Sequence, residues 1–161
     1  MTEAIWSIPT HRVDAETARR TILVQHERIR ALLVHAREIA ERALDQAPQR
    51  PDAVASAIGD IHTTLETHLR FEEKVLVEIW KDDLPVGPIR ATRLQEDHVR
   101  QRATLADLHA EARAHPEMPL LAAKLAFLTS WLLEDMEEEE RTILTPDSVR
   151  DDVVVVDQSD G

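Results

Sequence analysis

Four stretches of the chain repeat apolar residues at alternating spacings of three and four, and in each the repeat is interrupted at one level by histidine or carboxylate. The first reads Ile22, His26, Ile29, Leu33, Ala36, Ala40, Ala43; the second reads Val54, Ile58, Ile61, Leu65, His68, Glu72, Val75, Ile79. The third gives Ala91, Leu94, His98, Gln101, Leu105, Leu108, Ala112, and the fourth Leu121, Leu125, Leu128, Leu132, Asp135, Glu139, Thr142. Such spacing draws one stripe along each helix and is the signature of helices packed in a left-handed bundle. Prolines at 48, 51, 85, 88, 116, 119 and 146 and a glycine at 87 punctuate the stretches, since neither residue suits a helix interior. Helices are therefore predicted over 14–47, 52–80, 89–114 and 118–144. Links this short force neighbouring helices antiparallel. The expected fold is all-α: an antiparallel up-down-up-down four-helix bundle over 14–146, an N-terminal arm over 1–13 that contains Trp6, and a short acidic, valine-rich C-terminal tail over 147–161.

Composition points the same way. The 161 residues are 43% hydrophobic and 31% charged, which suits one globular domain with a substantial core. Glycine occurs only three times, while Ala, Leu, Glu and Arg, which lose little rotamer freedom in a helix, are abundant. A net charge of -12 repels phosphate backbones and anionic headgroups, so neither nucleic acid nor a membrane surface is an expected partner. Residues 1–16 lack an apolar leader, and no stretch approaches the ~20 apolar residues of a membrane span, so the expected location is the cytoplasm. With no cysteine, any metal has to be held by histidine and carboxylate.

The interruptions agree in height. Measured from a turn near Gln49, His26 and Glu72 each lie about 23 residues away, which at ~1.5 Å per residue sets them side by side. From Pro85, Glu72 and His98 are each about 13 residues distant; from Pro116, His98 and Asp135 are about 18 and 19. Six candidate metal ligands follow: His26, His68, Glu72, His98, Asp135 and Glu139. Glu72, Asp135 and Glu139 in one core layer need compensation, because an unpaired buried carboxylate costs several kcal/mol. Two divalent cations would supply it, and the i, i+4 pairs His68 with Glu72 and Asp135 with Glu139 each lie on one helix face, able to chelate or bridge. Iron or manganese suits such donors, with zinc also compatible. The competing arrangement is a metal-free network of buried histidine, carboxylate and water. An internal echo, His68-Leu-Arg-Phe-Glu72-Glu73-Lys74 against Asp135-Met-Glu-Glu-Glu139-Glu140-Arg141, selects Glu139 over Glu140 and leaves the rest of the Glu137 to Glu140 run as solvated surface.

These residues resemble the hemerythrin-like, or HHE cation-binding, family of four-helix bundles, over roughly 14–146. The family's usual pattern is a lone His on the first helix, His-x-x-x-Glu on the second, a lone His on the third and His-x-x-x-Glu on the fourth. Here His26, His68 with Glu72, His98 and Glu139 match, and the run from Leu65 to Glu73 is the most specific part. Asp135 departs, standing where the family has histidine; Arg102 and Gln101 occupy the region where oxygen carriers have a second third-helix histidine. The resemblance implies a carboxylate-bridged centre of two iron ions, with manganese or a mixed pair as alternatives. It implies an oxidoreductase that reacts with O2, peroxide or NO, or alternatively a non-catalytic protein that binds or senses O2, NO or iron. The carboxylate in place of histidine resembles di-iron oxidases more than reversible carriers.

Arg30 and Arg102, one turn from His26 and His98, are expected to form salt bridges at the seam's margin or to bond a ligand carboxylate, with Gln101 beside them. Trp131, one turn before Asp135, either packs in the core or walls an open coordination position. His35 and His62 fall on other helix faces and His109 lies about 16 Å along from His98, so all three are expected off the site. Val153 to Val156 in the tail can pair with another chain, which makes a homo-oligomer one expectation, or dock on the bundle.

Overall fold

The computed structural model describes residues 14–45, 51–114 and 117–150, without the side chain of Pro51. Trp6 and His11 of the N-terminal arm, His115, and the valine run of the tail lie outside the described residues. Four helices form: α1 (Ala15–Asp45), α2 (Pro51–Trp80), α3 (Val86–Arg113) and α4 (Met118–Thr142). The start of α1 is capped by Asp14, whose carboxylate accepts the Thr17 backbone N–H at 2.8 Å. Helix α2 starts at Pro51 and α3 at Val86, earlier than the proline punctuation suggests. The reason is that Pro51 and Pro88 sit in first turns, where backbone N–H groups have no partner four residues back and proline costs no hydrogen bond.

The bundle is not evenly knit. Helix α1 lies against α2 and α4, and α2 against α3, while α3 and α4 touch each other much less. Two apolar clusters fill the interior. One is built around Leu33, Ile58, Ile61, Leu121, Leu125 and Leu128; the other around Ile22, Phe71, Leu76, Trp80 and Leu94. Between them lies the polar layer of His26, His68, Glu72 and His98, all buried. The second cluster continues past α4 through Leu144 and Val149, anchored where the Trp80 indole N–H donates to the Ser148 carbonyl at 2.7 Å. The core therefore runs beyond residue 146, where the sequence pattern placed the end of the bundle. In α4 the buried stripe drifts from Leu132 to Met136, as a 3.6-residue helix must against a 3.5-residue repeat. That drift turns Asp135 toward the opening between α3 and α4. No helix among the described residues is long and apolar enough to cross a membrane.

The α2–α3 corner depends on Gly87, where a Cβ would stand 1.9 Å from the Trp80 carbonyl oxygen. Gly59, inside α2, has no such neighbour within 4 Å. Gly87→Ala is therefore expected to destabilise by about 1–3 kcal/mol or more, and Gly59→Ala to stabilise by about 0.5–1 kcal/mol. Urea unfolding of both variants checks this; equal effects would contradict the corner's dependence on Gly87.

Candidate metal centre

Each helix delivers its side chains to the polar layer for a local reason. On α2, His68 and Glu72 are four residues apart and share one face, and α1 and α3 bring His26 and His98 to the same level. The ring Nε2 atoms point inward. That of His26 lies 3.2 Å from that of His68, 3.4 Å from Glu72 Oε1 and 3.7 Å from Glu139 Oε2. Those of His68 and His98 are each 3.3 Å from Glu72 Oε2. Two triads result, His26–His68–Glu72 and Glu72–His98–Glu139, and Glu72 belongs to both.

The opposite ring nitrogens are all committed. His26 Nδ1–H donates to Glu140 at 2.9 Å, His98 Nδ1–H to Glu73 at 3.0 Å, and His68 Nδ1–H to the Gln25 side-chain oxygen at 2.9 Å. Carboxylate and amide oxygens accept, so Nδ1 carries a proton, and in the neutral ring the Nε2 lone pair then faces the centre, the arrangement typical of metal-ligating imidazole. Arginines hold the two carboxylates in turn. Arg30 donates to Glu140 at 3.0 Å, and Arg102 grips Glu73 through two bonds of 2.6 and 3.1 Å while also reaching Glu66 at 2.9 Å.

The electrostatics are those of donors lacking their acceptor. Both oxygens of Glu72 and one of Glu139 are buried without a hydrogen-bond partner, a costly state for carboxylates. Burial drives the His68 imidazole down to about 4, with Glu72 only partly opposing it. Burial also pulls on His26, but the Glu72 and Glu140 carboxylates outweigh it and raise that ring. For Glu72, burial is overcome by His68, His26 and His98, which hold it below the usual carboxylate range. Burial, then the charges of Glu72 and Asp135, push Glu139 well above its ordinary value. A divalent cation reverses this last penalty, because it rewards the ionised form. In the His26–His68–Glu72 triad the spacings of 3.2–3.4 Å also fit, since ligands bonded at ~2.1 Å stand about 3.0–3.4 Å apart around one ion. The donor set and its orphaned oxygens therefore suit metal ions.

Of the six ligands expected from the sequence, five converge: His26, His68, Glu72, His98 and Glu139. Asp135 joins neither triad. It is half-buried, accepts a hydrogen bond from Gln101 Nε2, and lines a cavity of about 200 Å³ between α3 and α4 together with His98, Gln101 and Glu139. Burial, opposed by the Gln101 bond, raises its carboxyl. Trp131 packs against the apolar core. Arg30 and Arg102 form the salt bridges expected of them, and through Glu140 and Glu73 they reach the imidazoles. Glu140, read from the sequence as solvated surface, instead bonds the buried His26 ring because its position on α4 faces α1. Glu73 and Gln25 were missed altogether, although the repeated Glu-Glu doublet at 72–73 and 139–140 carries the signal. His35 is exposed; His62 stacks on His109 at a centroid distance of 4.6 Å, half-buried rather than on the open surface.

The architecture and the site together define a four-helix bundle of the metal-binding class. Comparison with known families agrees: the model of the hemerythrin HHE cation-binding domain matches residues 17–145. The chain belongs to that family. No curated protein and no solved structure matched it.

Removing the anionic partner of an imidazole should weaken the donor without dismantling the bundle. Glu140→Ala or Glu73→Ala is expected to lower metal affinity about 10–100-fold, and the Gln variants, which can still accept the Nδ1–H bond, to lose much less. Competition with a chelator of known affinity measures this. Equal affinities for the Ala variants and the unmodified protein would show that these carboxylates do not tune the site.

Proposed function

We propose that the protein is a cytoplasmic non-haem di-iron oxidoreductase of this family, acting on O2, peroxide or NO. In this account His26, His68 and Glu72 would hold one ion and His98, Glu72 and Glu139 the other, with Glu72 common to both sets. Bound iron would supply one-electron redox chemistry toward a small ligand. The observation that carries the proposal is the sharing of Glu72, buried and without hydrogen bonds, between two triads.

The remaining steps belong to the protein. Glu140, Gln25 and Glu73 fix the three rings so that each lone pair points at the centre. The two apolar clusters flank the layer, and the three rings His26, His68 and His98 are each at most 1% exposed. The α3–α4 cavity reaches His98 and Glu139, which opens that position to a small ligand. That position has one nitrogen donor and two carboxylates. Anionic oxygens interact more strongly with a triply than with a doubly charged ion, so the protein favours the oxidised state over reversible carriage.

Metal analysis tests the centre. About two irons per chain are expected, falling sharply in His68→Ala and Glu72→Ala but not in His35→Ala or His62→Ala; loss of metal in His62→Ala equal to that in His68→Ala would refute the assignment. Chelation of a protein saturated at ~100 times its dissociation constant removes about 2.7 kcal/mol, or roughly 5–10 °C of melting temperature for a domain of this size. An unchanged melting temperature would speak for a metal-free polar layer. The chemistry is tested separately: the reduced protein exposed to air should change to the oxidised spectrum and stay there. Recovery of the reduced spectrum under vacuum would make it a carrier.

A further inference from the structure

The cavity between α3 and α4 runs from solvent to the centre past carboxylate, amide and imidazole side chains. Glu138 is exposed, Asp97 and Asp135 are half-buried, Gln101 is 6% exposed and His98 1%, and Glu139 also lines the space. Of the four carboxylates lining the cavity, Asp97 is paired with Arg100 and Glu138 with Arg141, while Arg90 is paired with Asp83 at 3.0 Å, so Asp135 and Glu139 are the two that have no arginine partner. A second observation is independent of these charges. Gln101 gives its amide N–H to Asp135, which leaves its carbonyl oxygen buried with no partner. Carboxylate and amide carbonyl oxygens are the donors that replace water around hard divalent cations. Neither Asp135 nor Gln101 belongs to a triad, yet both line the same cavity as His98 and Glu139.

We propose that this cavity is the loading route for the divalent cations, and that the Asp135 carboxylate and the Gln101 carbonyl oxygen form a transfer station that binds an ion in passing. The inference rests on the metal centre proposed above. It reassigns Asp135 from resident ligand to transit group, and the two roles have opposite kinetic signatures. A transit group lowers the barrier in both directions, so its loss slows entry and exit together and leaves the equilibrium affinity unchanged. Loss of a resident ligand speeds exit and weakens binding. The net charge of -12 also draws cations to the protein through a field that salt screens, so uptake should slow as ionic strength rises.

The test uses Zn2+, which has no redox chemistry. Uptake by the full-length metal-free protein is followed by stopped flow with a zinc-responsive dye, and release from the loaded protein by excess chelator. Asp135→Ala and Gln101→Leu, checked for folding by circular dichroism, are expected to slow uptake and release by about 10-fold each, with stoichiometry and dissociation constant within about twofold of the unmodified protein. Asp135→Glu, which restores a carboxylate, should recover most of the rate. Unchanged rates in both Asp135→Ala and Gln101→Leu would overturn the route, and faster release with weaker affinity in Asp135→Ala would make Asp135 a resident ligand. If the unmodified protein takes up no Zn2+, the centre itself falls and the route with it. If it binds two ions and those two variants load at the normal rate, the centre stands and only the route is refuted.

Discussion

The fold turns on one unsatisfied group: the Glu72 carboxylate, fully buried, with neither oxygen hydrogen-bonded. In the interior of a bundle such a charge costs several kcal/mol unless something offsets it. Three imidazoles and Glu139 surround it, and the apolar cores above and below are set by how far each helix must run to reach this layer. The layer thus divides the interior into two clusters, joined by helices whose remaining inward residues are mostly aliphatic. Stability and metal binding are consequently linked, because any cation that neutralises the layer also stabilises the bundle that builds it.

Around that group the protein is layered by role. Histidine Nε2 atoms face inward; Glu140, Gln25 and Glu73 accept the Nδ1–H hydrogen bonds; Arg30 and Arg102 hold the two carboxylates, Glu140 and Glu73. The Arg102 guanidinium beside Glu73 helps keep that carboxyl below its ordinary range against the effect of burial, so it remains an acceptor for the His98 ring. The arginines lie at the margin, about a third exposed, where charge is affordable. The opening between α3 and α4 breaks this enclosure on one side, and there the two halves of the centre differ. His98 and Glu139 line the cavity, and His26 and His68 do not.

The helices, their order and the level of the polar layer were legible because 3,4 spacing and proline punctuation each report local backbone preference. Boundaries slipped where proline reads as a stop but is accommodated in a first turn, at the start of α2 for Pro51 and two residues into α3 for Pro88. Asp135 shows the limit of a heptad template: over the length of α4 the true helical repeat drifts, and the buried stripe passes to Met136. The partners of the imidazoles were less visible. Glu73 and Glu140 sit one position beyond the triad glutamates, which by helix geometry turns them about 100° away, toward a neighbouring helix whose proximity no local pattern announces. The contribution of Leu144 and Val149 to the core likewise depends on the Trp80–Ser148 bond, a contact between distant positions.

Glu72 belongs to both triads, so two bound ions would stand on either side of its carboxylate. Anomalous diffraction at the iron edge from crystals of the iron-loaded protein tests it most directly. Two peaks are predicted, about 3.5–4 Å apart, one between His26 and His68 and one between His98 and Glu139, with the Glu72 carboxylate between them. A single peak, or none with ordered water bonded to Glu72, would contradict the account.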